Sequence, residues 1–455
     1  MNINFLKRSE ARNPTGCKGT SYRWSSLVLS PLAMLLGIIF TQPAYAEDPI
    51  WEALTAGKID FEMRYRFEYK DDHVASKNAK SSTLRTVLGY RTGSLFGFGG
   101  YAQIENIASI GPEDYNDGGT NGKTRFATVV DPVGTEVNQA YIFFNGFEGI
   151  PVLQETTLRY GREVIEYDDQ RFIGSVPWRQ NLQTYDGFTL VNETLPDTIF
   201  RYAYVNNVNR IFGEDNPITN RDEFDVSNTH FFHLKYDGFS LGKLSAFVYL
   251  INLEDQGGFS PLSAATYGGR FDGGHNLTDK FKLLYTVEGA HQTDYEDNVG
   301  DLDTNYYKGV IGGTYKIGGL FESVTAKVAY AVLEGDGGTD VFQMPFGTNH
   351  AFQGWSDKFL VTPKDGVEDF WVSLGTSIKG VNITALYHDF TSDNLDYDYG
   401  SELDLLIVKG FANRYKLGVK ISNYWDDRNA TNLARNTRQL NDEFILSFFA
   451  IAKWF

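Results

Sequence analysis

The chain has 455 residues, 42% of them hydrophobic, a formal charge of −17 and one cysteine, Cys17. Such a composition belongs to a folded protein, and it leaves no disulfide framework, Cys-ligated zinc or thiol nucleophile beyond position 17. So acidic a balance argues against a nucleic-acid partner.

The first element is a basic segment, Lys7, Arg8, Arg12, Lys18 and Arg23, followed by the apolar run 27–40 and the small-x-small triplet Ala44-Tyr45-Ala46. This pattern predicts a secretory signal peptide over 1–46, cleaved near Ala46. About 14 apolar residues interrupted by Pro31 are too few to span a bilayer. Cys17 precedes the apolar run, so lipid attachment there is not expected. Removing the segment makes the remaining chain, 47–455, more acidic still.

From residue 58 onward the pattern changes. FEMRYRFEYK (61–70) alternates aromatic or apolar residues with charged ones, a period of two that only a strand sorts onto two faces. Similar stretches recur, which predicts strands over 58–70, 81–92, 98–108, 135–146, 155–162, 184–192, 198–208, 228–237, 244–254, 264–272, 280–291, 304–316, 321–333, 368–378, 382–390, 402–408, 413–424 and 441–455. The segment 402–408 is the weakest of these, and parity requires it. Short Gly/Asn/Pro turns and long polar loops alternate between the strands, including long loops at 163–183 and 334–366. Together these features predict an all-β, up-and-down antiparallel transmembrane barrel of about 18 strands, with short periplasmic turns, long extracellular loops and an aqueous interior. A chain ending on an aromatic strand and Phe455 fits an outer-membrane protein handed to the barrel assembly machinery.

In such a barrel the aromatic face meets lipid and lipopolysaccharide, and the charged face lines the lumen. Alternation then turns Arg64, Arg66, Arg85, Arg91, Arg159, Arg201 and Lys235 inward, with Lys282, Lys308, Lys327, Lys416 and Lys420. The inward acids are fewer: Glu62, Glu68, Glu105, Glu288 and Asp404. Acids cluster instead in 111–119, 212–217, 294–303, 334–340 and 393–404, which read as loops. A basic lining in a low-dielectric tube concentrates anions; ion-pair ladders between neighbouring strands are the competing use of the same charges. The 301–305 segment (DLDTN) has alternate oxygen donors but lacks the Gly and bidentate Glu of a calcium loop, so a solvated loop tip is expected. No cofactor and no metal site is expected. The histidines have no neighbouring Ser in a recognisable motif, which argues against an enzyme.

The segment 159–190, RYGREVIEYDDQRFIGSVPWRQNLQTYDGFTL, is the most distinctive. Its Gly161-Arg162, Asp169-Gln170-Arg171, Gly174, Trp178-Arg179 and Tyr185-Asp186-Gly187 resemble the signature of the alginate export family of outer-membrane barrels. The resemblance implies 18 strands and a narrow passage lined by basic residues and a few carboxylates, suited to an anionic polysaccharide of uronic acids, with periplasmic export components as possible partners. It also implies an inward-folded loop carrying Arg162, Arg171 and Arg179 near Asp168, Asp169 and Asp186. Those charges either meet the substrate or pair with one another to pin the loop. A porin for small organic anions or general solutes is the alternative function.

Overall fold

The computed structural model describes residues 48–218, 221–254, 262–298, 300–395, 397–427 and 441–454. The expected signal peptide, Phe455 and most of the last long connector lie outside these residues. A short helix, α1 (Pro49–Thr55), precedes eighteen strands, β1 (Lys58–Asp71) to β18 (Glu443–Trp454). Every strand pairs antiparallel with its sequence neighbours, and β1 pairs with β18, closing the sheet into a barrel. The closing seam shows how alternation works. Phe61, Phe67 and Tyr69 pack, with tilted rings, on Trp454, Phe448 and Phe444 of β18 along the outer face, with ring centroids 5.3, 6.3 and 6.3 Å apart. Between them Arg64, Arg66 and Glu68 turn inward and are buried. Apolar side chains such as Ile142, Tyr160, Val287, Ile311 and Leu374 cover the outside, as a lipid-facing wall requires.

Several strands run further toward the extracellular side than alternation alone predicts. β3 (Phe98–Asp114) runs six residues past its expected end, β8 (Glu223–Phe239) begins five residues early, and the 402–408 segment is the middle of β16 (Asp398–Phe411). Two acids expected in loops therefore sit on strands, Glu163 and Glu402, the latter fully buried and pointing inward like Asp404. Glu136 and Asp369, on expected strands, add to the acids beyond those that alternation turned inward. The lumen holds more carboxylates than the sequence suggested.

Two long loops, 164–183 between β5 (Thr156–Glu163) and β6 (Thr184–Asn192), and 334–366 between β13 (Phe321–Leu333) and β14 (Val367–Ile378), fold into the barrel. Their apolar residues, among them Ile165, Tyr167, Phe172, Ile173, Phe342, Phe346 and Phe359, form one buried cluster with the inward residues Phe231, Phe247, Tyr249, Tyr306 and Tyr424 of the wall. A barrel of this size would be a water-filled tube if it were empty. Here the loops give its extracellular half a packed core.

Candidate functional site

The inward loops clasp each other first. Gly174 donates its backbone N–H to the Phe346 carbonyl (3.0 Å), and Thr348 donates N–H and hydroxyl to Gln170 (2.9 and 2.7 Å). Gly174 is required at this crossing, since a Cβ there would run into Thr348 and Gln170. Arg171 is 1% exposed, donates to Gln353 (2.7 Å) and lies over the Phe352 and Tyr306 rings at 4.5 and 5.1 Å.

The clasped pair is then tied to the wall at two poles. At the first, Arg64 donates to the carbonyls of Pro177 (2.6 Å) and Arg179 and to Gln180 (2.8 Å). Arg66 reaches the Trp178 carbonyl and pairs with Asp131 (2.8 Å) and Glu68 (3.5 Å). Arg179 bridges Glu68 (3.2 Å) and Asp357 (2.8 Å), and so joins wall, first loop and second loop. His350 completes the chain, with its Nδ1 2.5 Å from Asp357 and its Nε2 against the Lys420 ammonium. These two partners assign the tautomer: Nδ1–H donates to the carboxylate and Nε2 accepts from the lysine. Burial pushes the His350 imidazole down to about 4, with Asp357 opposing the shift and Lys420 adding to it. Burial raises the Asp357 carboxyl, but His350, Arg179 and Lys70 outweigh it and hold it below the usual carboxylate range. Trp178 stacks on His350 (centroids 5.6 Å), and the Lys420 ammonium lies 4.1 Å from its ring centre and 4.4 Å from that of Trp355.

At the opposite pole Asp169 meets Arg270 (2.5 Å) and Lys308 (3.0 Å), and both cations also meet Glu288 (3.3 and 2.5 Å). Burial opposes ionisation of Asp169, but Lys308 and Arg270 prevail and lower its pKa. Next to it, Asp168 accepts from Ser245 (2.8 Å) and pairs with His233 (2.9 Å). The serine bonds the carboxylate and not the imidazole, so the trio lacks the order of a hydrolytic triad. Near the end of the second loop, Glu402 accepts the N–H groups of Trp355 and Ser356 (the latter at 2.9 Å).

Arg162 and Asp186 require a correction. Arg162 belongs to β5 and Asp186 to β6, not to the inward loop. Arg159 and Glu163 share the inner face and pair at 2.8 Å, and Tyr185 is buried in the lumen core. Residues one place out of step with these point the other way. Arg162 and Asp186 pair with each other on the outer face (2.9 Å), where Arg162 also meets Glu214 (2.5 Å). The motif glycines Gly161 and Gly187 are register partners between these strands, and a Cβ on either would strike a neighbouring backbone carbonyl.

The remaining bases form a second population. Arg85 is neutralised by Glu105 (2.8 Å) and Glu62 (3.1 Å). Arg91 lies over Phe143 at 4.1 Å and donates to the Tyr141 hydroxyl (3.3 Å), with no ion-pair partner among the described residues. Arg201, Lys235 and Lys327 are half-buried inward residues with no ion-pair partner among the described residues. On the periplasmic side of the 175–182 strap lies a cavity of about 500 Å³ lined in part by Glu62, Arg64, Arg85, Gln103, Gln139 and Lys453. Arg270 was not singled out from the sequence, because the glycines flanking it (268, 269, 273 and 274) blur the alternation of β10 (Ala264–Asn276); its place two residues before Asp272 was the available signal.

A closed 18-stranded antiparallel barrel narrowed by inward loops is the architecture of an outer-membrane channel. The backbone resembles solved channels of that class: OccAB4 of Acinetobacter baumannii (TM-score 0.65, 15% identity, 89% of this chain and 99% of that one) and OccK9 of Pseudomonas aeruginosa (0.64, 11%, 88% and 100%). Pseudomonas aeruginosa OpdK, solved with vanillate, is similar at 0.63 and 13% identity over 88% and 99%. The model of the alginate export family matches residues 57–359, and the chain belongs to that family. No curated protein matches its sequence. Fold and family are those of a transporter.

Proposed function

We propose that the protein is a selective outer-membrane channel for carboxylate-bearing solutes, and that acidic saccharides of the uronate type are its substrate class. The observation that carries the reading is the difference between the two populations of bases. Arg64, Arg66, Arg85, Arg171 and Arg179 are consumed in holding the wall and loops, while Arg91, Arg201, Lys235 and Lys327 face the lumen without a carboxylate partner among the described residues. Unpaired guanidinium and ammonium groups in a confined passage favour anions and give a carboxylate successive weak stations. Family membership supports a saccharide.

One observation favours a second reading, a channel for small organic acids. The loops occupy the extracellular half of the lumen as a packed core, and a similar barrel was solved with an aromatic carboxylate. Conductance block by uronate oligomers of increasing length, compared with monomeric carboxylates, separates the two. Block that strengthens with length supports the saccharide path. Equal block by monomer and oligomer supports small acids, and no block by either contradicts both.

A further inference from the structure

The barrel's N-terminal helix carries a feature that channel function does not use. α1 has no buried residue, and Trp51 and Leu54 are 41% and 46% exposed. Ile50 is exposed as well. At 100° per residue these three fall on one side of the helix and Glu52 on the other. The C-terminal end of α1 is fixed in place: Gly93 donates its N–H to the Ala53 carbonyl (2.8 Å), and the Tyr90 hydroxyl donates to the Leu54 carbonyl.

Tyr90 sets the location. Its neighbour Arg91 lies on the inner face with Arg85 and Val87, so alternation sends Tyr90 to the lipid side of β2 (Ala79–Arg91), where it registers with Ile59. Beside it the β2–β3 turn exposes Phe96 (86%), and outward Phe98 packs on Phe144 with centroids 4.5 Å apart, with Phe147 behind at 5.0 Å. The C-terminal end of α1 is thus anchored at the periplasmic rim of the lipid-facing wall, beside these outward aromatics. A short amphipathic helix with a tryptophan at that level suits the headgroup–acyl boundary.

We propose that α1 and the β2–β3 turn form a foot that inserts Trp51 and Leu54 into the periplasmic leaflet of the outer membrane. The foot holds the chain that precedes β1 against the outer rim, away from the pore mouth.

The test uses Trp51→Cys, Leu54→Cys and Glu52→Cys in a Cys17→Ser background, spin-labelled and reconstituted in phosphatidylethanolamine/phosphatidylglycerol vesicles, with heat-modifiable gel mobility confirming the barrel. The ratio of oxygen to nickel-chelate collision is expected to be severalfold higher at 51 and 54 than at 52. Equal nickel access at all three sites would overturn the proposal, as would exclusion of both relaxers at 51 and 54, the sign of a protein covering that face. A label-free check is Trp51→Phe in vesicles of brominated acyl chains. It should remove part of the bromine-quenchable emission, and no change would overturn the insertion.

Discussion

Arg179 and Arg201 both face the barrel interior, yet they are held in opposite ways. Arg179 is 6% exposed between Glu68 and Asp357; truncating it takes the guanidinium from buried Asp357 and leaves Glu68 only Arg66, which costs about 3–5 kcal/mol. Arg201 has no such partner, so its loss changes stability by less than about 0.5 kcal/mol. Arg179→Ala is therefore expected to lower the urea midpoint of the reconstituted barrel and make the open channel noisier. Arg201→Ala should leave the midpoint in place and weaken preference for anions. The reverse pattern in unfolding and single-channel records would show that the two groups have been assigned the wrong tasks. The sequence could not separate these residues. An arginine at an inward position reads the same whether its partner is a carboxylate far along the chain or the solute. Arg162 was misplaced for another reason: a motif outranked the alternation counted from Arg159, although that count already turned it outward.

The two inward loops are the elements on which the passage depends, and their hold varies with acidity through His350. Its imidazole ionises only near pH 4 in the clasped loop, against about 6.5 when released. Between those values the released loop binds a proton that the clasped loop excludes. The clasp is then fully effective above about pH 6.5 and loses up to about 3 kcal/mol as pH falls to about 4. Asp357, held below the usual range, stays ionised through that window. Hydrogen exchange over 344–358, corrected for intrinsic rate, should accelerate between pH 7.5 and 4.5, and His350→Gln should remove the change. Unaltered protection would contradict a neutral His350. Most strands were legible because they carry their own period of two; β10 and the 402–408 segment, where that period is blurred, were the hardest to read. The clasp was not, because its contacts join residues far apart, Arg171 with Gln353 and Arg64 with Gln180, and no local pattern encodes such a pair. The bare motif could be read as a substrate site or as a pin. Asp169, Arg171, Trp178 and Arg179 are all engaged in holding the loops.

At the scale of the molecule, a strongly acidic chain encloses a wall that presents several arginines and lysines without an ion-pair partner among the described residues. Many carboxylates project from the extracellular side, and others are spent inside on ion pairs that shape the constriction. What remains for a solute includes a set of cations on the wall, among them Arg91, Arg201, Lys235 and Lys327. A passage so lined should favour anions although the protein's net charge would suggest the opposite. The most direct measurement is the reversal potential of the reconstituted channel in a planar bilayer under a KCl gradient. The sign should be that of an anion-selective pore, and replacing those four bases together with glutamine should move it toward zero while the barrel stays folded. A cation-selective reversal potential, or one indifferent to the four replacements, would contradict the account.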